Sequence, residues 1–541
     1  MKCRMPVALS ILMMTAAALA AAAPPAAPSS EAPVRLDSGL ITGAAVGDGG
    51  VRVYKGIPFA APPVGYLRWM PPAPVAAWNG VRACAEFGPW CPQPQPLLGR
   101  EVGKQSEDCL YLNVWTAAKA PGEKRPVMVW IHGGGCTTGS GSQPYYDGTA
   151  FARAGVVLVT INYRLGPFGC FAHPLLSKES PQGVSGNYGL LDQIEALKWV
   201  QQNIAAFGGD PGCVTIFGES AGSMSVCRLM ISPLARGLFH RAIAESGGAH
   251  GRNRGLRDTR EGMEPMEKVG QDLAAKLGCD KESDVLAALR AKSAADVLAA
   301  SDPAQGLFGK GIKWGWIVDG WAIPDDPQAL FEAGKEAPVP FLLGTNADEG
   351  TVFTQALPIK HPAGYQVLVH TLYKEHAAEM LALFPCANDD EVRPALNRLT
   401  TVQSFVAPAR ALAALHQKAG YKAYLYHFTR VSPHYRDRGL GACHAGEIPY
   451  VFASIGRAPG FTEKDFEVSK TMNACWARFA AAGDPNAPGL PAWPAYLAAT
   501  DQYLEFGDTI EVKTGLYKAA CDLIEKLWAN RGTSKAVAAQ P

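Results

Sequence analysis

The 541-residue chain is 48% hydrophobic and 18% charged, with 50 Lys and Arg against 49 Asp and Glu. That much apolar material supports a large packed core and excludes a disordered polyelectrolyte. A formal net charge of +1, with no long single-sign run, also leaves no field for coating nucleic acid or an anionic membrane.

The chain opens with Lys2 and Arg4, an apolar run from Val7 to Leu19, and alanines leading into a Pro/Ala/Ser stretch. A basic start, short apolar segment and small-residue exit predict a signal peptide over 1–23, followed by a linker over 24–36. The mature protein is then expected to be secreted or periplasmic and not bound to a membrane. Removing Lys2 and Arg4 leaves 48 basic against 49 acidic residues. No repeat or low-complexity stretch follows until after Arg531, so residues 37–530 read as one domain and 531–541 as a flexible tail. Thirteen Cys and eleven His are scattered without Cys-x-x-Cys or His-x-x-x-His spacing, and neither a metal site nor a cofactor is expected.

Short β-branched or aromatic runs predict buried strands at 127–131, 156–161, 213–217 and 341–343. Between the second and third, apolar residues at 190, 191, 194, 197 and 200 follow helical spacing. Strands alternating with helices predict an α/β fold with a mostly parallel sheet covered on both faces.

Two motifs carry chemistry. His132-Gly133-Gly134-Gly135-Cys136 directly follows the strand at 127–131. Successive glycines leave backbone N–H groups uncovered, and donors of that kind stabilise a tetrahedral oxyanion. Gly134, Gly135 and the amide of Ala221 are the candidate oxyanion-hole donors. No Gly-Lys-Ser/Thr follows, and no dinucleotide fingerprint opens a helix here, so a phosphate cradle fits poorly. The second motif, Gly218-Glu219-Ser220-Ala221-Gly222, joins the strand ending at Phe217 to a helical run from Ser223 to Met230. A sharp strand-to-helix turn exposes Ser220 above the sheet as a candidate nucleophile.

With these motifs, the landmarks Tyr54–Ala60, Ser106–Val114 and Asn162–Gly166 bring the chain to resemble the type-B carboxylesterase, or cholinesterase-like, branch of the α/β hydrolases. The resemblance runs from about Val51 to Trp528 and implies an α/β-hydrolase fold and hydrolysis of small-molecule carboxylic esters. It places the triad acid at Glu349 in Asp348-Glu349-Gly350, and the base at His444, ahead of Glu447-Ile448-Pro449-Tyr450-Val451-Phe452. The order Ser220, Glu349, His444 agrees with nucleophile, acid, base. It further implies a supporting acidic network of Glu219, Ser246 and Glu447, and a disulfide between Cys91 and Cys109.

Departures from the family bear on substrate. The Cys91–Cys109 loop lacks the Trp that holds a quaternary ammonium in cholinesterases, which disfavours choline esters. Cys136 stands where most relatives have a large aromatic, so it is expected to widen the pocket. The segment Gly248–Arg257 offers His250 and three arginines, Arg252, Arg254 and Arg257, where cholinesterases supply apolar walls. It reads either as a solvated basic loop or as an Arg clamp on an acyl carboxylate. Fumonisin-detoxifying members of this family cleave tricarballylate side chains, and a substrate of that kind would suit the clamp. The alternatives are a neutral short-chain or aryl esterase, a lipase, and a cholinesterase-like binding protein without catalysis. Oligomeric state is left open.

Overall fold

A computed structural model describes residues 32–47, 50–96, 102–250 and 253–538. The expected signal peptide, most of the linker and Arg252 lie outside these residues. Among the described residues no helix is long and apolar enough to cross a membrane, and no cluster of His, Cys, Asp and Glu could hold a metal ion.

Eleven strands form the central sheet among the described residues. Their spatial order is Ile510–Thr514, Gln502–Phe506, Ala423–Phe428, Phe341–Asn346, Arg241–Glu245, Gly209–Glu219, Arg125–Ile131, Val157–Ile161, Tyr111–Thr116, Val51–Pro58 and Ala44–Val46. The seven from Gln502–Phe506 to Val157–Ile161 run parallel, and antiparallel strands close both ends. A separate small sheet joins Val34–Leu36, Gly39–Thr42 and Val81–Ala83.

The continuous apolar strands make sense once both faces are covered. Along Arg125–Ile131, Val127, Val129 and Ile131 enter one core while Met128 and Trp130 enter the other. Helices Tyr188–Asn203, Ala221–Ile231 and Ala407–Lys418 cover the first face, and Glu463–Ala482 covers the second. The predicted strands and helix match observed elements, with the strand expected from 156 beginning at Val157 and the strand before Ser220 beginning earlier than expected, at Gly209. The last helix, Lys518–Ala538, runs past Arg531, so the tail boundary drawn from composition falls within a helix.

The expected disulfide is not found: Cys91 and Cys109 lie side by side and buried, as free thiols. A hydrogen bond between them and burial hold the Cys109 thiol protonated, well above its ordinary range. The Cys91 sulfur also accepts the Leu165 N–H at 3.3 Å.

Candidate active site

The strand Gly209–Glu219 stops because the next residue leaves extended backbone altogether. Ser220 has φ 56° and ψ −119°, and the helix Ala221–Ile231 starts one residue later. Positive φ on a side-chain-bearing residue costs roughly 1–3 kcal/mol and persists only where the surroundings enforce it. Here the Ser220 N–H donates to the Glu245 carbonyl of the neighbouring strand at 2.9 Å. The flanking glycines are required by packing: a Cβ on Gly218 would sit 2.5 Å from the Ile131 carbonyl oxygen, and one on Gly222 would sit 1.9 Å from it.

Ile131 ends the strand that leads into the glycine loop, so loop and elbow are locked against the same backbone. A Cβ on Gly133 would lie 2.8 Å from Glu219 Oε2 and 3.1 Å from Ser220 Cβ. Gly134 has φ 105° and Gly135 φ 64°, backbone that L side chains rarely adopt. The Gly134 carbonyl accepts the N–H and the hydroxyl of both Thr137 and Thr138 at 3.0–3.2 Å. The N–H groups of Gly134 and Gly135 donate to no other described residue. Ala221, as the first helical residue, has an amide without an intrahelical acceptor. Cys136 is 3% exposed, packed in the core, and burial pushes its thiol up to about 12. That leaves it a protonated space-filling group.

Acid and base arrive on two loops that are tied to each other. Asp348 Oδ2 accepts the Ala442 N–H at 2.9 Å, the Asp348 N–H donates to the Ala442 carbonyl at 2.9 Å, and Asn346 Nδ2 donates to the Cys443 carbonyl at 2.8 Å. This brings His444 Nδ1 within 2.6 Å of Glu349 Oε2. Glu349 is fully buried, and its Oε1 accepts Ser246 Oγ at 2.6 Å and the Asn346 N–H at 2.7 Å. The rings of Phe353 and Phe405 pack on the imidazole with centroids at 4.9 and 5.0 Å. His444 Nε2 lies 3.1 Å from Glu219 Oε1, so an imidazolium at this position would be flanked by two carboxylates.

Behind the pair lies a layer of carboxyl groups. Ser246, at φ 51°, bridges to Glu447 Oε1 at 3.4 Å, and Asn346 Nδ2 donates to Glu447 Oε2. Burial, then the neighbouring Glu219 and Glu349, push the Glu447 carboxyl up to about 8. Glu245, which sequence reasoning missed, accepts Trp476 Nε1 at 2.7 Å and is also held protonated, by burial and by Glu447. An acid ending the apolar strand Arg241-Ala242-Ile243-Ala244 was its available signal. The layer thus gathers four carboxyls, with the uncharged forms favoured furthest from the imidazole.

Of the two arginines expected as a clamp, Arg254 alone is among the described residues. The Arg254 guanidinium is half-buried and donates to the Glu264 carbonyl at 2.7 Å. The segment is instead met from below by Arg228 of the elbow helix, a cation that sequence reasoning passed over.

A mostly parallel sheet, a serine at a strained strand-to-helix turn, uncovered loop amides and a carboxylate-held imidazole define an α/β hydrolase. The family model described as "Carboxylesterase family" matches residues 30–524. The chain is 38% identical over 492 residues to a "Fumonisin B1 esterase" of Sphingopyxis macrogoltabida, covering 88% of this chain and 87% of that protein. It is 36% identical over 481 residues to the "Para-nitrobenzyl esterase" of Bacillus subtilis (strain 168), covering 86% and 93%. A solved structure titled "PNB ESTERASE" superposes with a TM-score of 0.76 at 33% identity, over 91% of this chain and 99% of that one. The chain therefore belongs to the carboxylesterase family and is a carboxylic ester hydrolase.

Proposed function

We propose that the protein hydrolyses small-molecule carboxylic esters by acyl transfer to Ser220. The Ser220 Oγ attacks the ester carbonyl carbon while His444 Nε2 takes its proton, and the oxyanion is met by the amides of Gly134, Gly135 and Ala221. Collapse expels the alcohol, which leaves with the proton from His444. Water then attacks the acyl-enzyme, again giving its proton to His444, and the acid departs as Ser220 is regenerated. Glu349 fixes the imidazole and stabilises its cation throughout.

The observation that carries this reading is the 2.6 Å contact of Glu349 with His444, whose Nε2 lies 3.1 Å from Glu219, the residue before a serine held at φ 56°. Kinship with a fumonisin B1 esterase supports including fumonisin B1 among the esters tested. The basic, then apolar, start of the chain supports export of the mature enzyme. The test is release of acid from an ester panel by the wild type and Ser220→Ala. Turnover by the wild type, abolished in the variant, is expected; comparable turnover by both would overturn the assignment.

A further inference from the structure

One long helical run borders both the acid and the base. The helices Asp389–Thr401 and Ala407–Lys418 are joined without a break by a wider turn, Val402–Val406. In that turn the Ala407 N–H reaches back five residues to the Val402 carbonyl, which makes it a π-turn. Pro408 supplies the reason. It has no N–H for the Ser404 carbonyl four residues back, and in a regular helix its ring would collide with that carbonyl. The helix opens by one residue there.

Contacts on either side of the turn fix what it presents. Ahead of it, Thr401 Oγ1 accepts the Gly350 N–H at 3.0 Å and Asn397 Nδ2 donates to Asp348 Oδ1 at 2.8 Å. The helix thus grips the residues before and after Glu349, and a Cβ on Gly350 would lie 2.5 Å from the Asn397 carbonyl oxygen. Within the turn, Gln403 Oε1 accepts the Tyr373 hydroxyl at 2.6 Å. Val402 and Val406 pack in the first core, but Phe405, only 5% exposed, belongs to neither core. Its ring meets Phe353, nearly parallel with centroids 5.9 Å apart, and the His444 imidazole at 5.0 Å.

The imidazole has use for such a hold. Glu349 binds its Nδ1 at 2.6 Å, yet a second carboxylate, Glu219, lies 3.1 Å from Nε2. An imidazole free to turn about its stem could trade one carboxylate for the other, and a misplacement of about 1 Å can cost on the order of 10^2 in rate. Aromatic rings packed on it remove that freedom, and a ring centroid within about 6 Å also favours the positive charge the imidazole acquires.

We infer that Phe405, set in place by the π-turn 402–406, is a positioning residue for ester hydrolysis, holding the His444 imidazole against Glu349 while Nε2 takes and returns the proton. This rests on His444 being the general base. It gives the helical run 389–418 the task of fixing acid and base together, through Asn397 and Thr401 for the one and Phe405 for the other.

The test compares Phe405→Leu, which keeps apolar bulk without a ring, and Phe405→Tyr, which keeps the ring, with the wild type on p-nitrophenyl acetate. Phe405→Leu is expected to lose about 10-fold in kcat with KM changed by less than about 2-fold, while Phe405→Tyr stays within about 3-fold of the wild type in both. Equal losses of kcat in the two variants would show packing that needs no ring and overturn the inference. A rise in KM at unchanged kcat in Phe405→Leu would make Phe405 a wall of the substrate pocket, and overturns it too. Should Phe405→Leu not fold, Phe405→Met takes its place with the same expectation. Turnover surviving in His444→Gln instead breaks the base assignment, whatever the Phe405 variants do.

Discussion

The nucleophile half of the site is made of backbone, and the acid–base half of buried side chains. Around Ser220 and Gly133–Gly135, position is enforced by sterics: almost any added Cβ meets a carbonyl oxygen or a neighbouring atom at less than 3 Å. Around His444, position is enforced by hydrogen bonds among groups that would repel one another if all were charged. The first half should therefore respond to added volume and be insensitive to pH. The second should keep its shape under isosteric change yet respond to any change in its charges or protons. Rigid donors stay aimed at the developing oxyanion without reorganising, while an imidazole that must accept and return a proton needs a surround whose charge is adjustable.

The largest effect that sharpens this contrast is expected in Glu349→Gln. The amide keeps the shape but cannot stabilise the imidazolium, so kcat falls by about 10^4-fold with KM little changed. Steady-state kinetics check this, and a loss confined to KM would mean that Glu349 acts on binding. Next is Gly134→Ala. A Cβ there would sit 2.1 Å from the Thr138 carbonyl, so the loop must move and its donors miss the oxyanion. A fall in kcat of about 10^2- to 10^3-fold is expected, together with lower thermal stability. Full activity in this variant would break the steric account.

The smallest effect concerns protons. Glu447 titrates near 8 in the fold against about 4.3 in the unfolded chain, so the native state retains a proton that the unfolded state releases. Its stabilising contribution is fully present below pH ~4.3 and lost as pH rises through about 8, at no more than about 1.4 kcal/mol per pH unit. Glu447→Gln, permanently neutral, should lose that slope. Urea denaturation from pH 5 to 9 checks it, and parallel profiles for the two proteins would contradict the neutral-acid assignment.

The two halves also differ in how far they could be read from sequence. Ser220 and the three glycines were legible because local backbone crowding dictates residue type, and the strand and helix beside them have distinct periodicities. The parallel sheet was legible for a similar reason: Met128 and Trp130 bury on one face while Val127 and Val129 bury on the other, so the run is apolar throughout. Glu349 and His444 were found only by family resemblance, since nothing local marks one acid or one histidine for a pairing 95 residues apart. Glu245 and Arg228 were missed because their burial is decided by distant chain: Trp476 for one, Gly248 and Asn253 for the other. A lone charge inside Val226-Cys227-Arg228-Leu229-Met230 was the visible trace of the latter. Arg254, on the basic segment after Gly248, is engaged with the Glu264 carbonyl, a contact that no local pattern marks.

Covalent trapping tests the central claim most directly. The enzyme is incubated with diethyl p-nitrophenyl phosphate, released p-nitrophenol is counted, and the digested protein is mapped by mass spectrometry. One equivalent released, one diethylphosphoryl group on the peptide carrying Ser220, and activity lost in step with labelling are predicted. A label on any other residue, or activity persisting after one full equivalent at Ser220, would contradict the acyl-enzyme account.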